Sequence, residues 1–169
     1  MTHAEIPHDG QPRRRVGCLT LILDQEDRVL FSVTTYKQRP ILPGGAAGKD
    51  ERFDRAAARE LREETGLVRR LSHFFAVDQT PENGETGSNE GLNLVFDGGV
   101  ITDEELAALA VPEAAAGEIA GHVWLREDEF DGALLPATAA RVRAVLAARK
   151  ARQLLPLLHH GVPVSELPA

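Results

Sequence analysis

The segment 51–65 constrains the fold of this chain most, because it predicts a helix with acidic side chains on the face that should point inward. Its residues are mainly Ala, Arg, Glu and Leu, which are strong helix formers. With about 100° of rotation per residue, Glu60, Glu63 and Glu64 share an arc of about 100°. The same arc contains apolar residues, Phe53 among them, which an amphipathic helix turns toward the core. The fold must therefore accommodate three carboxylates beside buried apolar side chains.

Such a cluster of carboxylates needs a cation or a proton. Two unit charges about 5 Å apart repel by roughly 3 kcal/mol at an effective dielectric near 20. Three such pairs approach the net stability of a domain, about 5–15 kcal/mol. The pKa of at least one carboxyl group is therefore predicted to rise, or a hard cation such as Mg²⁺ or Mn²⁺ to bind among the oxygens. The alternative is a fully solvated acidic surface. Arg55, Arg59 and Arg62 fall on the other side of the helical wheel.

Turn-forming residues lie on both sides of this helix. Asp50 is predicted to be its N-cap, and Gly66 is predicted to end it in the left-handed conformation. Upstream, Pro43, Gly44 and Gly45 predict a tight turn in which the backbone can approach a ligand closely. A backbone carbonyl there would add one more hard oxygen, and N–H groups could hold a phosphate.

The rest of the chain predicts strands interleaved with helices. The predicted strands are 15–23, 28–34, 67–78, 92–96 and 122–126, of which the first two form a hairpin. Helices are predicted from a capping box at Thr102 to about Val111 and over 137–155, and a long exposed loop over 79–90. This order predicts an α/β sandwich with one domain over 13–155, a loose arm over 1–12 and a tail over 156–169.

Charge and hydropathy exclude several classes of protein. The formal net charge of −7 gives no general affinity for nucleic acid or for an anionic membrane. The apolar run 16–23 is far too short for a membrane-spanning helix, which needs about 18–20 residues. Cys18 lies in that run and is the single cysteine, so we expect a buried, inert thiol. With no signal-peptide pattern at the start, we expect a cytoplasmic protein.

The residues from Gly45 to Leu67 resemble the signature of the Nudix hydrolase family. The family pattern is Gly, five residues, Glu, seven residues, and then Arg-Glu-apolar-any-Glu-Glu-any-Gly-apolar. Here Gly45, Glu51 and the run from Arg59 to Leu67 match every specified position. The resemblance implies the family's α/β/α sandwich with a mixed β-sheet. It also implies hydrolysis of a nucleoside diphosphate linked to another group.

The resemblance also implies a role for each residue of the signature. Glu60, Glu63 and Glu64 would act in catalysis by binding one to three divalent metals, Mg²⁺ or Mn²⁺, with the carbonyl of Gly44 as a further ligand. The structural residues of the signature would be Gly45, Glu51, Arg59 and Gly66, with Glu51 and Arg59 paired. The metals would polarise the diphosphate oxygens and activate a water.

The general base is not fixed by the signature. In some family members it is a glutamate of the signature, and in others a glutamate on a later loop. Glu118 is the first candidate here, because it lies six residues before Trp124 and just ahead of the last predicted strand. Glu90, at the end of the long loop, is the second candidate. An ordinary surface role for Glu118 is the alternative.

The substrate within the class of nucleotide derivatives stays open. A proline fifteen residues after Gly66, Pro81, is weakly typical of family members that act on ADP-ribose, and a (deoxy)nucleoside triphosphate is the other alternative. Lys37 and Arg39 are candidates for phosphate contacts, with a solvated connection as the alternative, and Tyr36 is one of several aromatic residues that could stack on a base. A non-catalytic nucleotide-sensing module, an acidic metal-binding module and a homodimer remain open.

Overall fold

A mixed β-sheet forms the centre of the molecule, and the computed structural model describes residues 14–36, 39–84 and 89–168. The strands of this sheet are β1 (Arg15–Leu23), β2 (Val29–Thr34), β3 (Gly44–Ala46), β4 (His73–Thr80), β5 (Gly91–Val100), β6 (Ile119–Leu125) and β7 (Leu155–Pro156). Their order is β6-β2-β1-β5-β4-β7, and β3 pairs with β1. β1 and β5 run parallel, whereas the other pairs are antiparallel. The predicted hairpin of the first two strands is confirmed.

Helices cover both faces of this sheet. The helices are α1 (Phe53–Thr65), α2 (Asp103–Ala108), α3 (Phe130–Ala133) and α4 (Pro136–Lys150). Side chains alternate between the two faces along β1: Leu21 and Leu23 belong to the core cluster that contains α4, and Cys18 belongs to the cluster that contains Ala56 and Ala57 of α1. The layers therefore form the expected α/β/α sandwich with a mixed sheet.

The glycine turn is part of the sheet. β1 and β2 pair at Leu23 and Val29 and then diverge, so that the segment 41–46 enters between them. Pro43 accepts a hydrogen bond from the amide of Thr20 (2.9 Å), and β3 pairs with β1. Gly44 has a φ of 140°, a conformation that side chains rarely adopt, and a Cβ there would clash with the backbone of β1. Glycine is therefore required for the turn to reach α1.

The start of α1 differs from the prediction. The helix begins at Phe53 with Arg52 as N-cap, and that cap makes no side-chain hydrogen bond. Asp50 is not the cap, because its φ of 61° turns the chain before the helix starts. Glu51 is outside the helix, since its carboxylate accepts a hydrogen bond from the amide of Gly48 (2.8 Å) instead. Gly66 ends the helix with φ 76°, which confirms the predicted left-handed stop.

Other boundaries also differ, and β6 begins at Ile119 rather than at His122. β4 begins at His73 rather than at Leu67, because Leu67 and Leu71 are buried under α1 instead of pairing in the sheet. β5 extends to Val100, beyond the predicted strand 92–96. α4 ends at Lys150 and not near Pro156, since Arg152 takes a φ of 55°. The capping box of α2 at Thr102 and Glu105 is confirmed.

The C-terminal segment packs on the domain. Leu157 donates a backbone hydrogen bond to Ser72 (3.0 Å), and a short hairpin of β8 (Leu158–His159) and β9 (Val162–Pro163) follows. Val164 is 1% exposed, and Arg70 donates from Nη2 to the carbonyls of Ser165 (2.7 Å) and Leu167 (2.8 Å). The arm 1–12 lies outside the described residues. Within the described ranges, no helix has both the length and the apolar character needed to cross a membrane.

We expect Val164→Ala to lower the free energy of unfolding by about 1–3 kcal/mol, because the substitution leaves a cavity at a buried site. Denaturant unfolding measures this change. Val162→Ala is the matched control, since Val162 is 39% exposed and lies on the same segment, and we expect a change within about 0.5 kcal/mol for it. Equal effects of the two substitutions would contradict the observed packing of the segment.

Candidate active site

Arg59 connects the loop before α1 to the acidic side chains on α1. Its Nε and Nη2 donate to the two carboxylate oxygens of Glu51 (2.9 and 3.0 Å), so the pair implied by the resemblance is present in the structure. Its Nη2 also donates to the carbonyl of Ala46 (3.3 Å). This guanidinium group lowers the pKa of Glu51 to about 2, with help from the amide of Gly48. Glu51 is therefore charged at neutral pH and holds the loop against the helix.

The same guanidinium group also neutralises part of the acidic cluster. Arg59 Nη1 donates to Glu60 (2.8 Å) and to Glu63 (3.2 Å). The estimate of three uncompensated repulsions was therefore wrong, because the flexible side chain of Arg59 reaches round the helix to both carboxylates. The side chain of Glu63 is 51% exposed, so it does not lie on the inward face as predicted, whereas that of Glu60 is 19% exposed.

Glu64 is the buried member of the cluster. It is 7% exposed and accepts hydrogen bonds from the hydroxyl of Ser32 (2.6 Å) and the amide of Gly44 (3.4 Å). Burial raises its pKa to about 7, and the charge of Glu60 contributes less. The predicted rise of at least one carboxyl pKa is therefore present, but desolvation rather than mutual repulsion is its main cause. His122 Nε2 donates to the backbone carbonyl of Glu64 (3.0 Å), which fixes the end of the helix.

An open cleft of about 1040 Å³ lies beside this cluster. Glu60 and Glu63 line it together with Gly44 and Gly45, whereas Glu64 lies behind this wall and does not line the cleft. A Cβ added to Gly45 would lie 2.5 Å from the carboxylate carbon of Glu60. The absence of a side chain at position 45 therefore lets backbone and carboxylate oxygens come close together.

Glu118 lines the same cleft, although it is distant from α1 in sequence. Its carboxylate accepts a hydrogen bond from the hydroxyl of Tyr36 (3.1 Å), and the amide of Thr35 donates to its backbone carbonyl (2.8 Å). Burial and the neighbouring Glu118 raise the pKa of Tyr36. The second candidate, Glu90, does not line the cleft and forms an ion pair with Arg14 (3.1 Å). Of the two candidate bases, the structure brings Glu118 to the carboxylates of α1.

The two cationic candidates are not part of the described cleft. Arg39 donates from Nη1 to the carbonyl of Gly132 (2.5 Å) and does not line the cleft. Lys37 lies outside the described residues.

Cys18 is fully buried, and burial raises the pKa of its thiol to about 12, as expected for an inert cysteine.

Several lining residues are not among the predicted site residues. They are Arg15 on β1, Asn93 on β5, and Thr138 and Arg141 on α4. Arg141 is held by Asp78 on β4 (2.6 Å). A polar residue at an inward position was the available signal: Asn93 interrupts the apolar run of β5 and is 4% exposed. The packing of α4 against β4 could not be predicted from sequence spacing.

The carboxylate and backbone oxygens of this site are chemically suited to bind a hard divalent cation. In the part of the chain that the structure describes, no three His, Cys, Asp or Glu side chains are assembled as a metal site. Glu60 and Glu63 instead point their oxygens at Arg59. Their carboxylates and the backbone at Gly45 nevertheless supply the oxygen ligands that Mg²⁺ and Mn²⁺ prefer. Arg59 bonds one oxygen of each of these carboxylates, and both residues line the cleft.

Solved structures share this fold. The MutT protein from Methanosarcina mazei Go1 superposes with a TM-score of 0.65 at 18% identity, covering 85% of this chain and 98% of that one. The NUDIX domain of Shewanella oneidensis NrtR, solved in complex with ADP ribose, gives a TM-score of 0.63 at 14% identity, covering 90% and 100%. At these identities the similarity concerns the fold.

A curated relative shares part of the sequence. Diphosphoinositol polyphosphate phosphohydrolase 3-alpha from Mus musculus is 38% identical over 66 residues, which is 38% of this chain and 40% of the relative. The match thus spans about two fifths of that protein's length.

The family model of the NUDIX domain matches residues 11–149. This range includes nearly all of α4 and every strand of the sheet except β7. The signature, the sandwich and the cleft beside α1 all lie within this match. The chain belongs to the NUDIX domain family.

Proposed function

We propose that this chain hydrolyses the diphosphate bond of a nucleoside diphosphate linked to a further group, with Mg²⁺ or Mn²⁺ as cofactor. One observation carries the proposal: Glu60, Glu63 and Glu118, from two distant parts of the sequence, line one cleft beside the glycine turn. A volume of about 1040 Å³ is sufficient for a nucleotide derivative. NUDIX hydrolases generally use divalent metal ions, which agrees with the oxygen-rich wall of the cleft.

The charge of the cleft supports a requirement for cations. Among the described lining residues are four carboxylates and two guanidinium groups, which belong to Glu60, Glu63, Glu82, Glu118, Arg15 and Arg141. A diphosphate would therefore meet a negative potential in the absence of bound cations. Divalent cations held by the carboxylates would reverse that potential where the diphosphate binds.

The carboxylates in and behind the wall of the cleft then have proposed roles. Glu60, Glu63 and Glu64, with the carbonyl of Gly44, would hold the metal. A bound divalent ion supplies Lewis acidity toward the phosphoryl oxygens and lowers the pKa of a water. Glu118 would accept the proton of the attacking water, and the hydroxyl of Tyr36 orients the Glu118 carboxylate.

The charge also favours one class of substrate. The relative named above is called a diphosphoinositol polyphosphate phosphohydrolase, and such a substrate carries many phosphate groups. Two guanidinium groups in the described cleft offer few partners for these groups. A nucleoside diphosphate derivative, with fewer charges, fits this lining better. ADP-ribose-like compounds and (deoxy)nucleoside triphosphates are the first to test.

The competing function is a nucleotide-sensing module without turnover. The NUDIX domain of NrtR was solved with ADP ribose, so binding alone is a role that this fold can support. The two functions differ in one measurable property, the release of product in the presence of a divalent metal.

We expect hydrolysis of at least one nucleotide derivative with Mg²⁺ or Mn²⁺, with a rate that rises toward alkaline pH, because the water and its base must both lose protons. The assay follows released phosphate and monophosphate for ADP-ribose, (deoxy)nucleoside triphosphates and a diphosphoinositol polyphosphate. Chelator is the control and should abolish the reaction. Binding without product for every compound and metal would instead support the sensing module.

Glu118→Gln is expected to lower kcat by about 10²-fold or more, because the variant loses the proposed proton acceptor. Glu90→Gln is the matched comparison: Glu90 pairs with Arg14 outside the cleft, so its turnover should stay within a few-fold of wild type. Melting temperatures of both variants check that folding is intact. Nearly wild-type turnover of Glu118→Gln would assign the base to a glutamate of α1.

In excess chelator, Glu64→Gln should melt at or above the wild-type temperature at about pH 8. The reason is that the pKa of Glu64 rises from 4.5 unfolded to about 7 folded. The cost of a raised carboxyl pKa appears as pH rises through the unfolded value and is complete above the folded value. At about pH 4, below the unfolded value, the advantage of the variant should therefore disappear.

Thermal melts at both pH values, with and without Mg²⁺, measure this prediction. We also expect Glu64→Gln to gain less from added metal than wild type, because one ligand is lost. Glu63→Gln is the control for pH dependence, since its carboxylate is half exposed. A chelated Glu64→Gln variant that is less stable at both pH values, with an unchanged metal-induced rise, would contradict the proposed role of Glu64.

A further inference from the structure

Arg141 lines the same cleft as the carboxylates of α1, although α4 covers the other face of the sheet. Its neighbours Val142 and Val145 are fully buried in the core beneath α4, which places Arg141 at the margin of that contact. The side chain of Arg141 is only 13% exposed. An arginine so enclosed requires a partner.

Asp78 on β4 is that partner. Arg141 Nε donates to Asp78 Oδ2 at 2.6 Å, which uses one of the five N–H donors of the guanidinium group. No described residue accepts a hydrogen bond from Nη1 or Nη2 of Arg141. The guanidinium group is thus fixed through Nε, its terminal nitrogens keep four donors, and the residue lines the cleft.

Other donors line this part of the cleft. Thr138 lies one turn before Arg141 on α4, and Asn93 on β5 is almost fully buried. Asn93 Oδ1 accepts a hydrogen bond from Arg15 Nη2 (3.3 Å), which brings a second guanidinium group to the same region. Guanidinium groups bind phosphate and carboxylate through paired hydrogen bonds, and hydroxyl and amide groups add donors to the same oxygens.

We propose that the α4 side of the cleft binds an oxyanion on the group linked to the nucleoside diphosphate, and that Arg141 selects substrates that carry it. This inference rests on the proposed function, because it assumes that the diphosphate lies at the carboxylates of α1. The oxyanion is a phosphate ester or a carboxylate, which share this chemistry. Asp78 is the positioning residue, since it touches Arg141 and is not required to touch the ligand.

Equilibrium binding to the full chain tests the proposal. Calorimetry in Ca²⁺, with product release monitored to confirm that no hydrolysis occurs, compares two matched pairs of probes. ADP-ribose 1″-phosphate and ADP-ribose differ by a phosphate ester on the linked ribose, and UDP-glucuronate and UDP-glucose differ by a carboxylate on the linked sugar. We expect wild type to bind the anionic member of at least one pair about tenfold or more tightly than its partner, the usual effect of a charged hydrogen bond. Arg141→Ala should remove this preference, and Arg141→Lys should retain part of it.

Arg143→Ala is the matched control. Arg143 lies on the same helix and pairs with an aspartate, Asp131, at 2.9 Å, but it does not line the cleft. This variant should keep the wild-type preference. Melting temperatures show whether each variant is folded, and Arg141→Lys replaces Arg141→Ala if the alanine variant is not.

The outcomes distinguish a phosphate ester from a carboxylate as the bound oxyanion, and they distinguish this inference from the proposed function. A preference within the ADP-ribose pair supports a phosphate ester, and one within the UDP-sugar pair supports a carboxylate. Equal binding within both pairs, or a preference that survives in Arg141→Ala, overturns the inference and leaves Arg141 as a brace between α4 and β4. Because binding is measured without turnover, failure to hydrolyse any compound overturns the proposed function alone.

Discussion

The paired hydrogen bonds between Arg59 and Glu51 are the interaction on which the rest of the site depends. They join the loop that follows the glycine turn to the helix that carries the carboxylates. Because Arg59 also donates to Glu60 and Glu63, one guanidinium group contacts three carboxylates and offsets part of their charge. Two of these carboxylates, Glu60 and Glu63, also line the cleft.

Glu64 shows the cost of building such a site. Its carboxyl group lies in the layer between α1 and the sheet, where burial raises its pKa to about 7. The hydroxyl of Ser32 and the amide of Gly44 stabilise the charged form but do not offset desolvation. A hydrophobic residue would pack better at this position. A residue that lowers local stability in this way is expected where function, rather than folding, requires it.

Much of the fold could be predicted, since side-chain alternation and turn residues are local properties. The first hairpin, the capping box at Thr102 and the left-handed stop at Gly66 follow from residues within a few positions of one another. The failures involve distant partners. Asp50 is not a cap because the chain turns there so that Glu51 reaches Gly48 and Arg59, and no local pattern contains that contact.

The sequence by itself determined the family, the carboxylate helix and the glycine turn, because the signature places all of them within one short segment and helical periodicity fixes their relative positions. Only the tertiary structure decided which carboxylate is buried, that Arg59 balances the other two, and that Glu118 and Arg141 border the same cleft. The physical reason is that desolvation and hydrogen bonding depend on the distance between atoms in space. The packing of α4 and β6 around the sheet sets those distances, and spacing along the chain does not.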